Sequence, residues 1–311
     1  VPYYYKDGLY ALPDTQTFFM MFYRTDIFKQ LELQPPKTWD EFREVVKALS
    51  RKNLQAWLPY IQLTDLYQVN MGIGGLNLFP SLLMQNGLPL YTKDLRKTTL
   101  TDPAVISVFK SWTDFYTKDR VPYTMDFYNR FRIGTCPIGI NSYTLYNTLK
   151  AAAPEIEGNW AMTEIPGTYK EDGSISHASA GGGTGCAILS STKNKDAAWK
   201  FLKWWTSSDT QLAFSNNLEA ILGPIGRVSV SNVEALSQMS WDNETYKAVV
   251  SAWENVQELP EVPGGYYVAR SIDYSFWNAA SLNKNPKDML IMWGEDADDE
   301  IQRKWRQYEN R

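Results

Sequence analysis

The apolar and polar positions of this chain follow two periods, which predict a mixture of strands and helices. Residues 18–23, FFMMFY, are apolar at every position. A short unbroken apolar run of this kind is typical of a strand that is covered on both faces. Residues 3–12 predict a hairpin whose turn lies at residues 6–8, Lys-Asp-Gly. Further strands are expected within residues 131–140, 160–165 and 185–190, with a polar hairpin tip at 170–176.

Helices are predicted where apolar side chains recur three and four positions apart. Residues 39–49 show this spacing, and Thr38 with Glu41 three positions later forms the pattern of a capping box. Asp102 followed by Pro103 predicts the N-cap and the first position of another helix. Other helices are expected after residues 141–143, at 195–205, at 209–216 with Ser208 as the cap, and at about 243–257, 266–280 and 286–311.

Composition and charge narrow the class of protein without naming its function. The 311 residues are 44% hydrophobic and 21% charged, with a net charge of -4, so the charge balance gives no support to nucleic-acid binding. No apolar stretch reaches the ~18 residues of a membrane span. No secretory signal is recognisable before residue 3, and we expect that the sequence begins inside a longer protein or that a signal was removed.

The candidate chemical groups do not assemble into a catalytic or metal-binding motif, and no metal or cofactor is expected. Cys136 and Cys186 could pair in an exported protein, but both lie in apolar runs where free buried cysteines are common. His177 is the single histidine, which disfavours a histidine metal site. The acidic run at 295–300 lacks the glycine and spacing of a calcium loop, so it is interpreted as a solvated helix face. Aromatic residues make up 14% of the chain, a surplus that suits stacking on sugar rings.

Several segments occur in a characteristic order. They are residues 10–42, the strand and turn FRIGTCPIGIN at 131–141, the glycine-rich segment 181–189, and SSTKNKDAAWKFLKWW at 190–205. Together they resemble the extracellular solute-binding proteins of ABC importers, family 1, the branch that includes maltose-binding protein. The resemblance implies an α/β, type II periplasmic-binding-protein fold with two lobes joined by crossovers. It also implies no enzymatic activity and no cofactor, a small-molecule ligand that is an oligosaccharide, and ABC importer membrane subunits as partners. A monomer is expected, extracellular and lipid-anchored or periplasmic.

One departure from the family concerns the start of the first lobe. Members of the family have roughly 90–100 residues before the equivalent of Tyr3, so lobe 1 is expected to be incomplete in this chain. The resemblance places the lobe 1 remnant at residues 1–18 and 180–239, and lobe 2 at residues 19–179 and 240–311. Such a remnant would leave an unpaired strand edge.

The resemblance also implies which residues contact the ligand, because these proteins combine aromatic platforms with a few hydrogen-bonding groups. The candidates follow apolar strands or glycine-rich loops and number ten: Gln16, Phe18, Asn77, Phe79, Asn141, Tyr143, Tyr146, Tyr266, Tyr267 and Arg270. Three consecutive glycines, Gly181, Gly182 and Gly183, are expected to form a hinge at the second crossover.

Other functions stay open on the sequence alone. The alternative ligand is a peptide or another polar solute, since Arg270 and the glycine-tyrosine loop before it suit a charged group. A carbohydrate-active enzyme would use the same aromatic surplus, but no two carboxylates form a recognisable catalytic pair. A sensor built on the same fold would bind a signalling partner in place of a transporter.

Overall fold

A computed structural model describes the chain at residues 3–5, 8–59 and 78–310. The strands are β1 (Tyr4–Tyr5), β2 (Gly8–Leu9), β3 (Leu12–Arg24), β4 (Ala56–Trp57), β5 (Ile138–Ser142), β6 (Trp160–Thr163), β7 (Thr168–Tyr169), β8 (Ile175–Ser176), β9 (Ser179–Cys186) and β10 (Val256–Gln257). The first six helices are α1 (Thr25–Gln30), α2 (Trp39–Ser50), α3 (Phe79–Gln85), α4 (Pro103–Thr117), α5 (Phe127–Arg132) and α6 (Leu145–Ala152). The other six are α7 (Lys195–Trp205), α8 (Ser208–Leu222), α9 (Val233–Gln238), α10 (Asn243–Glu254), α11 (Gly265–Ala280) and α12 (Pro286–Glu309).

The long strand β3 organises the principal sheet, whose strand order is β10-β9-β3-β5-β4. Its first half, residues 12–18, pairs antiparallel with β9. Its second half pairs antiparallel with β5 over residues 19–23 and with β6 over residues 21–24. The strand β4 pairs in parallel with β5, and β10 pairs in parallel with β9. The strand β3 therefore joins two parts of the sheet. One part is its pairing with β9, called the β3–β9 ribbon below, and the other is its pairing with β5 and β6.

The two faces of β3 supply two separate hydrophobic cores, because side chains alternate along a strand. Phe19 and Met21 lie in the first cluster, together with side chains from α2, α3, α4, α11 and α12. Phe18, Met20 and Phe22 lie in the second cluster, with side chains from α5, α6, α9 and α10. This arrangement confirms that residues 18–23 form a strand covered on both faces.

The local signals at helix starts and hairpins are mostly confirmed. Thr38 Oγ1 accepts a hydrogen bond from Glu41 N at 3.3 Å, and Glu41 Oε2 accepts one from Thr38 N at 3.3 Å, so the capping box is present. Asp102 is the N-cap of α4, with proline at its first position, and β7 and β8 form the expected hairpin. The turn predicted at residues 6–8 includes residues 6 and 7, which lie outside the described residues.

Several predicted boundaries are wrong. The helix expected at about 243–257 ends at Glu254, because residues 256–257 form β10 and pair with β9. The strand expected at 185–190 lies at Ser179–Cys186 because the glycine-rich segment pairs with β3. The helix expected directly after residues 141–143 begins only at Leu145, since β5 extends to Ser142. The cap of α8 is Ser207 and not Ser208, and this helix continues to Leu222.

The surface of α7 and α8 is strongly apolar. Trp199, Phe201, Trp204 and Phe214 are between 40% and 60% exposed, and Ile221 is 78% exposed. The rings of Phe201 and Trp204 lie 5.4 Å apart. We call the four aromatic side chains of this set, Trp199, Phe201, Trp204 and Phe214, the aromatic face.

Neither cysteine is bonded, and no described helix is long and apolar enough to cross a membrane. Cys136 lies in the second core cluster, and Cys186 ends β9. His177 precedes β9, and its Nδ1 lies 2.9 Å from the carbonyl oxygen of Ile165.

Candidate functional site

The β3–β9 ribbon carries both groups of residues predicted at the crossovers. Gln16 pairs with Gly183, and Phe18 pairs with Gly181. A Cβ atom on Gly183 would lie 2.1 Å from the carbonyl oxygen of Thr15, and one on Gly181 would lie 2.3 Å from Val256 Cγ1. Neither glycine has the left-handed φ that only glycine tolerates well. The ribbon therefore requires glycine for close approach of its neighbours, and the hinge function stays a prediction.

Contacts between Phe18 and Tyr143 hold β3 against the turn that follows β5. Their rings are stacked, with centroids 4.7 Å apart and an interplanar angle of 8°, and Tyr143 N donates to Phe18 O at 3.0 Å. Both side chains are buried. Burial raises the pKa of Tyr143 to about 12, although the side chain of Ser229 and the charge of Arg227 lower it in part. The hydroxyl of Tyr143 is therefore protonated at neutral pH.

A chain of neutral hydroxyl groups lies beside this stack, and sequence reasoning missed most of it. Thr17 Oγ1 lies 2.8 Å from Ser142 Oγ, which in turn lies 2.8 Å from Thr144 Oγ1. Asn141 precedes them and accepts a hydrogen bond from Ser142 N through its Oδ1 at 2.8 Å. All four residues are partly exposed. The polar interruption Asn-Ser-Tyr-Thr directly after an apolar strand was the available sequence signal.

Polar groups also lie along the N-terminal part of β3 in the ribbon. Asp14 Oδ1 accepts a hydrogen bond from Trp205 Nε1 at 2.7 Å, and Asp14 Oδ2 accepts one from Thr184 Oγ1 at 3.4 Å. The Nε2 atom of Gln16 is buried; it approaches the Tyr143 hydroxyl but has no partner in hydrogen-bond geometry among the described residues. The ribbon thus presents donors and acceptors beside a partly buried tryptophan, which suits a hydroxyl-rich ligand.

Tyr146 lies in an aromatic cluster behind the crossover. Its ring centroid is 5.1 Å from that of Trp241 and 5.7 Å from that of Trp160. The buried Arg227 guanidinium lies 4.6 Å from the Trp241 ring and forms an ion pair with Glu219 at 2.7 Å. These contacts bury Tyr146, so its role as a ligand contact is a proposal that requires this cluster to open.

Phe79 is packed in the first core cluster, and its contact with a ligand stays a prediction. Phe79 is the first residue of α3 and is fully buried. Its ring lies 5.7 Å from that of Trp112 in a stacked arrangement and 5.3 Å from that of Phe109. The neighbouring candidate Asn77 lies outside the described residues.

The three candidates on α11 form a second group, whose described contacts are with α11 and α12. Tyr266 is 53% exposed and donates its hydroxyl to Glu300 Oε1 at 2.9 Å. The Arg270 guanidinium lies 5.2 Å from the centre of the Tyr267 ring. Arg303 also donates to Glu300, and these bonds lower the pKa of Glu300 to about 2. The structure thus brings Gln16, Phe18, Asn141 and Tyr143 together.

The amino-acid sequence is similar to known binding proteins. It matches the family described as bacterial extracellular solute-binding protein over residues 1–248. A maltotriose-binding protein of Pyrococcus abyssi is 26% identical over 306 residues, a match that covers 96% of this chain and 56% of the relative. A putative binding protein of Brucella abortus is 25% identical, and the match covers 91% of this chain and 65% of the relative. The chain therefore spans between about half and two thirds of the length of these relatives.

Solved structures share the fold. The sugar-binding protein MalE of Xanthomonas citri superimposes with a TM-score of 0.79 at 19% identity, covering 99% of this chain and 74% of that one. A cyclic α-maltosyl-1,6-maltose binding protein of Arthrobacter globiformis gives a TM-score of 0.73 at 18% identity, covering 96% of this chain and 74% of that one. These matches confirm the expected type II periplasmic-binding-protein fold. About a quarter of each structure has no counterpart here, which is consistent with an incomplete lobe.

The family match includes β3, β9 and all the polar groups of the ribbon. It covers residues 1–248 of the 311-residue chain, well over half of its length. The chain belongs to the bacterial extracellular solute-binding protein family.

Proposed function

We propose that this protein binds an oligosaccharide outside the cell and delivers it to the membrane subunits of an ABC importer, without catalysing a reaction. The observation that carries the ligand class is the chain of neutral hydroxyls from Thr17 through Ser142 to Thr144, beside Asn141. Neutral donors and acceptors match sugar hydroxyl groups, whereas a peptide ligand would favour charged groups for its termini. The sugar-binding relatives named above support the same class.

The division into two lobes is part of this proposal. Residues 1–18 and 180–239 would form the remnant of lobe 1, and residues 19–179 and 240–311 would form lobe 2. The aromatic face lies on the remnant, and an apolar surface of this kind is usually covered in the whole protein. Val230 and Leu236, near the end of the remnant, pack into the second core cluster and so tie it to lobe 2.

The mechanism follows from the position of the polar groups on the ribbon. A sugar captured by one lobe would exchange hydrogen bonds with Thr17 and Asn141, and rotation about the β3–β9 ribbon would bring the second lobe over it. Gly181, Gly182 and Gly183 lie in this ribbon and are the proposed hinge. We also propose that the protein binds its ligand as a monomer. The whole protein would be lipid-anchored.

Calorimetric titration of the full-length gene product with maltotriose tests the function. The variant Ser142→Ala removes the central hydroxyl and is expected to weaken maltotriose binding at least tenfold. Ser237→Ala is the matched control, because its exposed hydroxyl donates to the nearby Glu234 carbonyl at 2.7 Å. A tripeptide serves as the competing ligand class.

The outcomes separate the alternatives. Micromolar binding of maltotriose that Ser142→Ala weakens and Ser237→Ala preserves would support an oligosaccharide clamp. Binding of the tripeptide with no response to a panel of oligosaccharides would overturn it. Measurable hydrolysis of the titrated sugar would contradict a non-catalytic role.

A further inference from the structure

A second concave site lies far along the chain from the ribbon, between the turn at residues 92–97 and the last turns of α12. It has a volume of about 500 Å³, within the range of small-molecule sites. Lys93, Arg96 and Lys97 line it from the turn, and Trp305 and Arg306 line it from the helix.

Hydrogen bonds hold this site in shape without a ligand. Thr92 N donates to Lys97 O at 2.9 Å, which closes the turn. Asp94 Oδ1 accepts from Thr92 Oγ1 at 2.6 Å and from Arg96 N at 3.2 Å. Trp305 Nε1 donates to the carbonyl oxygen of Leu95 at 3.0 Å and joins the helix to the turn. The turn and Trp305 are therefore held in place, whereas the exposed lysine and arginine side chains would lose rotamer freedom when a ligand binds.

The charge of the site is opposite to that of the chain. Four cationic side chains and one carboxylate line it, whereas the whole chain has a net charge of -4. Arg96 pairs with Glu309, and its guanidinium lies 5.1 Å from the centre of the Trp305 ring. Lys93, Lys97 and Arg306 form no ion pair within the described part of the chain, and all three are exposed.

The nearby carboxylates already accept hydrogen bonds from neighbouring residues. The Asp94 carboxylate is bound by Thr92 and by a backbone amide of its own turn. Asp298, one turn before Gln302 on α12, accepts from Thr98 N at 2.6 Å and from Thr98 Oγ1 at 2.8 Å. Lys93, Lys97 and Arg306 thus line the same site as Trp305.

The geometry points to a binding site for a small organic anion, one that carries a phosphate or carboxylate group on a body of about the size of a sugar ring. Lys97 and Arg306 would bind the anionic group from the two sides of the site. Trp305, partly exposed, would contact the apolar part of the ligand. This inference does not depend on the proposed function, since the ribbon and this site share no residue.

Titration with glucose 1-phosphate tests the inference, with inorganic phosphate and glucose as separate arms. The variant pair Lys97→Gln/Arg306→Gln removes two cations of the site. The pair Lys29→Gln/Lys195→Gln is the matched control, because both lysines are exposed on other helices and make the same change in net charge. The indole ¹H–¹⁵N resonance of Trp305, assigned with Trp305→Phe, reports binding at this place.

The expected result is binding of glucose 1-phosphate that shifts the Trp305 resonance, weakens at least tenfold in the first pair and is unchanged in the control. Binding of inorganic phosphate alone with equal affinity would show that the anion, and not its organic body, is recognised, which overturns the ligand class. An equal loss in both pairs, or no shift at Trp305, would overturn the site. Maltotriose binding, measured in the same samples, reports the ribbon separately.

Discussion

The substitution Gly183→Ala tests why the ribbon contains consecutive glycines. The added Cβ would lie 2.1 Å from the carbonyl oxygen of Thr15 and 3.1 Å from the Cα atom of Gln16. Both atoms belong to the backbone of β3, so no side-chain rotation can relieve the overlap. Because a comfortable C···O contact is about 3.3 Å, the two strands must separate by roughly 1 Å.

The energetic cost can be worked from the hydrogen bonds of the ribbon. A separation of about 1 Å stretches N–H···O bonds near 2.9 Å beyond their useful range. Losing two such bonds costs about 1–3 kcal/mol, and the smaller entropy of the unfolded alanine chain returns about 0.4–1 kcal/mol. We therefore expect a net loss of about 1–2 kcal/mol in the free energy of unfolding.

Urea unfolding and amide hydrogen exchange measure this effect. Amide hydrogen exchange should be faster in peptides covering residues 12–18 and 179–186. It should be unchanged in peptides from the helices of the two hydrophobic cores. Gly185→Ala is the control, because its Cβ would meet the Tyr3 ring at 2.6 Å, a side chain that can rotate away. Equal stability and equal exchange in Gly183→Ala and in the unmodified protein would refute the steric explanation, and glycine would then serve hinge rotation alone.

Three further outcomes follow from the buried groups. Glu219→Ala should lower the free energy of unfolding by about 2–3 kcal/mol because it leaves the buried Arg227 guanidinium without its carboxylate, and Glu219→Leu with Arg227→Met should recover part of the loss in denaturant unfolding. A thiol reagent should modify Cys186 in the native protein and Cys136 only after unfolding, since burial raises the pKa of Cys136 to about 12; native mass spectrometry showing two adducts would contradict this. Phe79→Ala should cost about 3–5 kcal/mol in thermal or urea unfolding while maltotriose affinity stays within about twofold, and selective loss of affinity would return Phe79 to the ligand site.

Elements that depend on residues close together in the sequence were predictable. Thr38 and Glu41 are three positions apart, so their capping box needs nothing from the rest of the fold. The apolar run at 18–23 predicted a strand covered on both faces because no polar side chain could face water there. Ordered motifs along the whole chain indicated the fold.

The candidate site was less predictable because its contacts join distant segments. Thr17 in β3 meets Ser142 at the end of β5 across 125 positions, and the sequence carries no signal that these two side chains pair. Phe79 follows a glycine-rich stretch, which suggested a loop at the ligand, but tertiary packing against Trp112 placed it in the core. The glycines at 181–183 were expected for backbone freedom, whereas Gly181 and Gly183 are required by close neighbours that only the fold reveals.

The alternation of side chains along β3 restricts how this protein can change in evolution. Phe19 and Met21 belong to one core, and Phe18, Met20 and Phe22 belong to the other. Inserting or deleting one residue before Phe18 would exchange the two sets and leave both cores wrongly filled. Relatives should therefore vary the size of these side chains and keep the length of the strand, while insertions and deletions accumulate in the loops.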